Sequence, residues 1–120
     1  MEKRTLVMGA STKEERYSNM AIRSLRQHGQ PVVAVGLREG RVSDVPIVKA
    51  IPDGTDFDTV TMYLNTHNQE PWQQALLALK PKRIIFNPGA ENREFAKQAE
   101  AVGIETVEAC TLVMLNTGQF

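Results

Sequence analysis

The run Thr5-Leu-Val-Met-Gly-Ala-Ser11 constrains the fold of this chain more than any other stretch. A short β-forming, mostly apolar segment stops at Gly9, two small residues follow, and a helical pattern begins a few positions later. A strand that does not alternate polar with apolar residues is buried on both faces, the habit of parallel sheets. Strand, tight turn and helix in that order open the nucleotide-binding α/β units, where helix amides point at a phosphate. Gly9 permits the turn, Ala10 and Ser11 let a ligand approach the backbone, and the Ser11 hydroxyl adds a donor. The full dinucleotide fingerprint would place further glycines at positions 11 and 14, where this chain has Ser11 and Glu14.

The same alternation of short β-rich runs and amphipathic helices continues to the end. Strands are expected at 5–9, 31–37, 58–64, 83–86 and 104–108. Residues 38–57 carry Gly40, Pro46, Pro52 and Gly54, which leaves room for a short strand at Ile47-Val48 and little else. The first helix is expected over 18–28, with Ser18 or Asn19 as cap, Ala21, Ile22 and Leu25 on one face and Gly29 as its stop. Trp72, Ala75, Leu76 and Leu79 fall at i, i+3, i+4 and i+7, between Pro71 and Pro81, and read as a second helix with Trp72 in its core stripe. Phe95, Ala96, Ala99 and Val102 mark a third helix, closed by Gly103, and Leu112–Leu115 is a final apolar piece. Right-handed crossovers between such strands give a Rossmann-like, doubly wound parallel sheet of about five strands in three layers.

At 120 residues, 1–120 is one domain, able to bury roughly two-thirds of its unfolded surface. Fourteen Lys and Arg offset fourteen Asp and Glu, so no global field draws nucleic acid or an anionic membrane. The single cysteine makes no intrachain disulfide and suits a reducing, cytoplasmic setting. No apolar run reaches the length of a membrane span.

Ligands of open α/β sheets lie beyond the carboxyl ends of the strands, near the point where strand order reverses. The exits to compare are therefore Gly9-Ala10-Ser11, Gly36-Leu37-Arg38, Asn65-Thr66-His67-Asn68 and Asn87-Pro88-Gly89-Ala90. The second one discriminates between cofactors. An NAD site places Asp or Glu there for the ribose hydroxyls, whereas this chain has Arg38, with Arg41 close behind. Arginine suits a phosphorylated ribose, as in coenzyme A or NADP.

Taken in order, the Gly-Ala-Ser turn, the Val-Val-Ala-Val second strand with its basic loop, the Gly89-to-Asn92 turn after the fourth strand, and the Gly103-Ile-Glu-x-Val-x-x-Cys110 ending resemble the stand-alone CoA-binding domain proteins. These are small bacterial proteins similar to the N-terminal domain of the succinyl-CoA synthetase alpha subunit. The resemblance runs from the first strand to Cys110. Two exits depart from it: Gly36-Leu37 stands where relatives commonly carry Asn-Pro, and the third exit is not Arg-rich. The resemblance implies a non-catalytic carrier, sensor or detached subunit that binds coenzyme A or an acyl-CoA. Gly9, Ala10 and Ser11 would cradle the pyrophosphate under Arg16 or Tyr17. Gly36, Leu37 and Arg38, with Arg41, would meet the phosphorylated ribose and adenine, Asn65 and Thr66 would line the far side, and Asn92 would cap a helix. An NADP-binding oxidoreductase or sensor and a ligand-free interaction domain are the alternatives. A homodimer through Leu112–Leu115, or a partner acyl-CoA enzyme, would be the macromolecular contact.

Catalysis by the chain alone is not expected. His28 falls in the last turn of a helix and complements its dipole. His67 has no carboxylate neighbour in sequence, Cys110 sits in an apolar context, and no His, Asp or Glu spacing suits a metal.

Overall fold

The structure is a computed structural model describing residues 2–120. Seven strands, β1 (Thr5–Met8), β2 (Val32–Val35), β3 (Gly40–Val42), β4 (Val45–Val48), β5 (Thr59–Met62), β6 (Arg83–Phe86) and β7 (Glu105–Glu108), form one sheet in the order β3-β4-β2-β1-β5-β6-β7. Every pairing is parallel except the β3–β4 hairpin. The Rossmann-like doubly wound sheet is as expected, with seven strands in place of five.

Both additional strands lie within residues 38–57: β4 contains the short strand for which there was room at Ile47-Val48, whereas β3 is unexpected. Ser43 takes a positive φ of 55° in the short turn that reverses the chain. The pairing of β4 with β2 begins only at Ile47, beyond Pro46, so the missing N–H of Pro46 removes no bond from that ladder. Val42, Val45 and Ile47 are buried, which ties the hairpin to the core. An ion pair of 2.9 Å from Arg26 to Asp44 joins it to the first helix.

Five helices cover the sheet: α1 (Tyr17–Gln27), α2 (Thr66–Gln69), α3 (Gln73–Leu79), α4 (Arg93–Ala101) and α5 (Thr111–Asn116). A 3-10 turn, Glu70–Trp72, links α2 to α3. The apolar stripes of α1 and α5 supply Ile22, Leu25 and Leu115 to one face of the sheet, against Val7 and Ala34. Leu76 of α3 and Phe95 and Ala99 of α4 pack on the other, against Leu6, Met8 and Phe86. In α5, Met114 and Leu115 are buried while Val113 is exposed, so half of the terminal apolar run is buried within the chain itself, with Leu115 in the core. No helix among the described residues is long and apolar enough to cross a membrane.

The chain adds β2, β3 and β4 on one side of β1, then returns to place β5 on the other side. The connections leaving β1 and β5 go to helices on opposite faces. A crevice therefore opens above the carboxyl ends of these two strands.

Candidate functional site

Two adjoining cavities occupy that crevice. The larger, about 730 Å³, is lined by the exits of β1, β2, β4 and β5 and by Trp72, Pro88 and Gly89. The smaller, about 390 Å³, runs from the same first turn toward Tyr17, Ser18, Asn87 and Cys110. Gly9, Ser11, Arg16, Tyr63 and Pro88 belong to both.

The first turn is built by backbone approaching backbone. Gly9 has a φ of +94°, and a Cβ there would stand 3.2 Å from the Leu64 amide nitrogen. The Gly9 and Ala10 amides both donate to the Val35 carbonyl, at 3.0 and 2.9 Å. Those two N–H groups therefore hold the β1 and β2 exits together. At Gly36 a Cβ would stand 2.3 Å from the Ala10 carbonyl oxygen. The Ser11 hydroxyl accepts from the Lys13 amide at 3.1 Å, which folds the loop back over the cleft.

The opposite rim is held by buried side-chain amides. Gln69 is fully buried. Its Nε2 donates to the carbonyls of Leu64, at 2.9 Å, and Ala90, at 2.8 Å, which ties together the loops after β5 and β6. Its Oε1 accepts from Asn92 Nδ2 at 3.0 Å, while Asn92 caps α4 by accepting from the Phe95 amide at 3.1 Å. Asn87 does the same work below the small cavity. It donates to Thr61 Oγ1 at 2.7 Å and to the Met62 carbonyl at 3.0 Å, and accepts from the Thr111 amide at 2.9 Å. The Tyr63 hydroxyl is buried beside this cluster and closes no hydrogen bond of normal geometry. Burial pushes its pKa up to about 12, against the opposing pull of the nearby Thr61 and Thr111 hydroxyls.

The charge of the large cleft is one-sided. Lys13, Arg16, Arg38 and Lys49 line it, and no carboxylate does. None of these four cationic head groups has a hydrogen bond or ion pair within the protein among the described residues; the two ion pairs lie elsewhere, at Arg26–Asp44 and Lys82–Asp58. In a chain of zero net charge, that concentration favours a ligand with several negative charges.

Of the residues singled out in the sequence, Gly9, Ala10, Ser11, Arg16, Gly36, Leu37, Arg38 and Asn65 come together at the large cleft, and Tyr17 at the small cavity. Thr66 lines neither and donates to the Glu91 carbonyl at 3.1 Å. Arg41 reaches the Asp44 carbonyl at 3.4 Å on the hairpin. His67 is exposed on α2 and lines neither cavity. His28 lies at the C-terminus of α1, with Nδ1 2.8 Å from the Ser24 carbonyl. Sequence reasoning missed Lys13 and Lys49 and placed Trp72 in the core. Trp72 is half-buried; it packs against the core and also lines the cleft. Lys49 follows a strand parallel to β2 with Val35 opposite Val48, so it stands level with Gly36.

Residues 3–116 match the CoA binding domain family. The chain belongs to that family. An uncharacterized protein of known crystal structure is 42% identical, with 100% of this chain and 99% of that chain covered and a TM-score of 0.96. A Thermus thermophilus protein is 24% identical, with 98% and 90% covered and a TM-score of 0.85. The dinucleotide-forming acetyl-coenzyme A synthetase 1 of Ca. Korarchaeum cryptofilum shares the fold, at 12% identity and a TM-score of 0.74; 89% of this chain aligns with 26% of that one. No curated protein sequence matches the chain.

Proposed function

We propose that this CoA binding domain protein binds coenzyme A in the large cleft and acts without catalysis of its own, as a carrier, a sensor or the detached subunit of an acyl-CoA enzyme. The observation behind this reading is the set of four unpaired cations facing the cleft with no carboxylate among them. Coenzyme A carries its charge on a pyrophosphate and a 3′-phosphate. Arg38 and Lys49, on neighbouring strand exits, suit the ribose phosphate; Lys13 and Arg16, on the loop above the first turn, suit the pyrophosphate. Trp72 and the 91% exposed Leu37 offer apolar surface for a base.

Calorimetric titration with coenzyme A, dephospho-CoA, NADP and NAD tests the reading. Coenzyme A is expected to bind tighter than dephospho-CoA by about tenfold or more, the worth of a hydrogen bond to a charged group. Arg38→Ala should narrow that gap chiefly by weakening coenzyme A. Equal affinity for the two forms would remove Arg38 and Lys49 from the ribose-phosphate role. NADP binding without coenzyme A binding would replace the ligand altogether.

A further inference from the structure

We infer that Asn19 and Arg23 are positioning residues of the ligand site: from α1 they hold the loop of residues 11–16, so that Lys13 and Arg16 face the cleft before a ligand arrives. The inference rests on the coenzyme A reading of the large cleft and adds the device that keeps half of its cations in place.

The loop has little of its own to hold it. It forms no helix or strand, and every residue from Thr12 to Arg16 is exposed. Its internal bonds are short-range: the Lys13 amide donates to Ser11 Oγ and the Arg16 amide to the Lys13 carbonyl, each at 3.1 Å. Beyond its entry into α1, two hydrogen bonds among the described residues tie it to the rest of the protein, and both come from one face of that helix. Asn19 Nδ2 donates to the Ser11 carbonyl at 2.9 Å, and Arg23 Nη2 donates to the Glu14 carbonyl at 3.1 Å. The two side chains stand one turn apart and are themselves joined, with Arg23 Nε donating to Asn19 Oδ1 at 2.8 Å. The two carbonyls they grip bracket Lys13, and Arg16 follows two residues after the second. On its other side the loop rests on the hairpin, where Gly40 leaves no room for a Cβ beside the Thr12 methyl.

Neither Asn19 nor Arg23 lines a cavity, so neither is placed to touch the ligand. Their effect passes through the backbone of the loop. An exposed loop without such ties samples many conformations, and a ligand that needs Lys13 and Arg16 together must first order it. Asn19 is buried and fixed in α1, and the forked guanidinium of Arg23 spans Asn19 and Glu14 at once. The compact ammonium of a lysine lacks that fork. The cations of the cleft thus divide into a braced pair on this loop and a second pair, Arg38 and Lys49, carried by the β2 and β4 exits. Loosening the loop weakens the first pair and spares the second.

Calorimetry on the full chain with coenzyme A and dephospho-CoA, arranged as a double-mutant cycle, tests the role. Arg23 is exposed and alanine suits a helix, so Arg23→Ala should fold. It is expected to weaken both ligands by about three- to tenfold, the worth of one hydrogen bond, and to leave their ratio as in the wild type. Arg23→Lys keeps the charge without the fork and should weaken them to a similar extent. With Lys13→Ala and Arg16→Ala already in place, adding Arg23→Ala should weaken binding by less than about twofold more. Hydrogen exchange of the ligand-free protein should quicken at the Lys13 and Arg16 amides in Arg23→Ala and stay unchanged across β1 and β2. Wild-type affinity in Arg23→Ala, full rescue by lysine, equal losses with and without Lys13 and Arg16, or unchanged exchange overturns the positioning role while the coenzyme A reading stands. A wild-type protein that binds neither ligand removes both.

Discussion

The two rims of the crevice are held by opposite means. At the exits of β1 and β2 the turns touch through backbone alone: two amides share the Val35 carbonyl, and Gly36 leaves room for the Ala10 carbonyl. At the exits of β5 and β6 a single backbone bond, from the Asn87 amide to the Met62 carbonyl at 3.3 Å, is supplemented by the buried side-chain amides of Gln69, Asn92 and Asn87, which carry most of the bridging. A rim of the first kind tolerates no added atom; a rim of the second kind tolerates bulk but no loss of a hydrogen-bonding group. The difference predicts which substitutions damage the site and in what order.

The largest effect is expected at Gly36. A Cβ at 2.3 Å from a backbone oxygen has no rotamer to escape into, so the β1 turn must move. Gly36→Val should destabilise the protein by at least about 3 kcal/mol, the upper end of overpacking costs. It should also reshape the large cleft, because Ala10 and Ser11 move with that carbonyl. Urea unfolding measures the first effect and titration with coenzyme A the second. A Gly36→Val protein of normal stability would show that the β1 and β2 exits can separate freely.

The sequence announces the first rim and hides the second, for physical reasons. Glycine after a buried apolar strand has few uses besides a turn or a close approach, so Gly9 and Gly36 can be read as site residues directly. Gln69 and Asn87 have the composition of any solvated loop; only the fold shows that they are buried. The strands β1, β2, β5, β6 and β7 were legible because each is a compact β-rich run between helix signals. Of the β3–β4 hairpin only the Ile47-Val48 end was legible, since Pro46 lies inside its pairing opposite Arg41 and its turn uses a serine at positive φ. Lys49 became a site residue only through that hairpin, which brings it level with Gly36. Trp72 kept helical spacing with Leu76 and Leu79, yet it belongs to a 3-10 turn whose different pitch lets its ring serve both core and cleft.

On the amide-bridged rim, Gln69→Leu preserves volume while removing the bond to Asn92 and both bonds to the loop carbonyls. Stranding buried polar groups costs about 1–3 kcal/mol each, offset where water can reach Leu64. A loss of about 2–3 kcal/mol is expected, with the Asn65–Asn68 wall of the cleft loosened. Gln69→Glu separates packing from hydrogen bonding. It retains the Asn92 contact but sets a carboxylate against two carbonyls, so it should be no better than leucine at neutral pH. Hydrogen exchange at residues 64–69 and 88–92 reports the loosening, and unchanged protection in Gln69→Leu would refute the bridging role.

The smallest effect is expected at Tyr63, where the two kinds of rim meet. Its hydroxyl is buried without a hydrogen bond, so Tyr63→Phe should change stability at pH 7 by less than about 1 kcal/mol. Its titration is the informative part. An unfolded tyrosine ionises near pH 10, whereas burial raises the folded value to about 12. The folded state thus holds its proton more tightly than the unfolded chain. The stability that follows from this is complete below pH 10 and is lost as pH rises from 10 through 12. Urea unfolding of the wild type between pH 9 and 12 should therefore show a decline of up to about 2–3 kcal/mol that Tyr63→Phe lacks. Equal declines in both proteins would mean that the phenol titrates as though solvated. A loss well above 1 kcal/mol for Tyr63→Phe at pH 7 would mean that its hydroxyl is held by Thr61 or Thr111 after all, extending the side-chain-built rim across to the first turn.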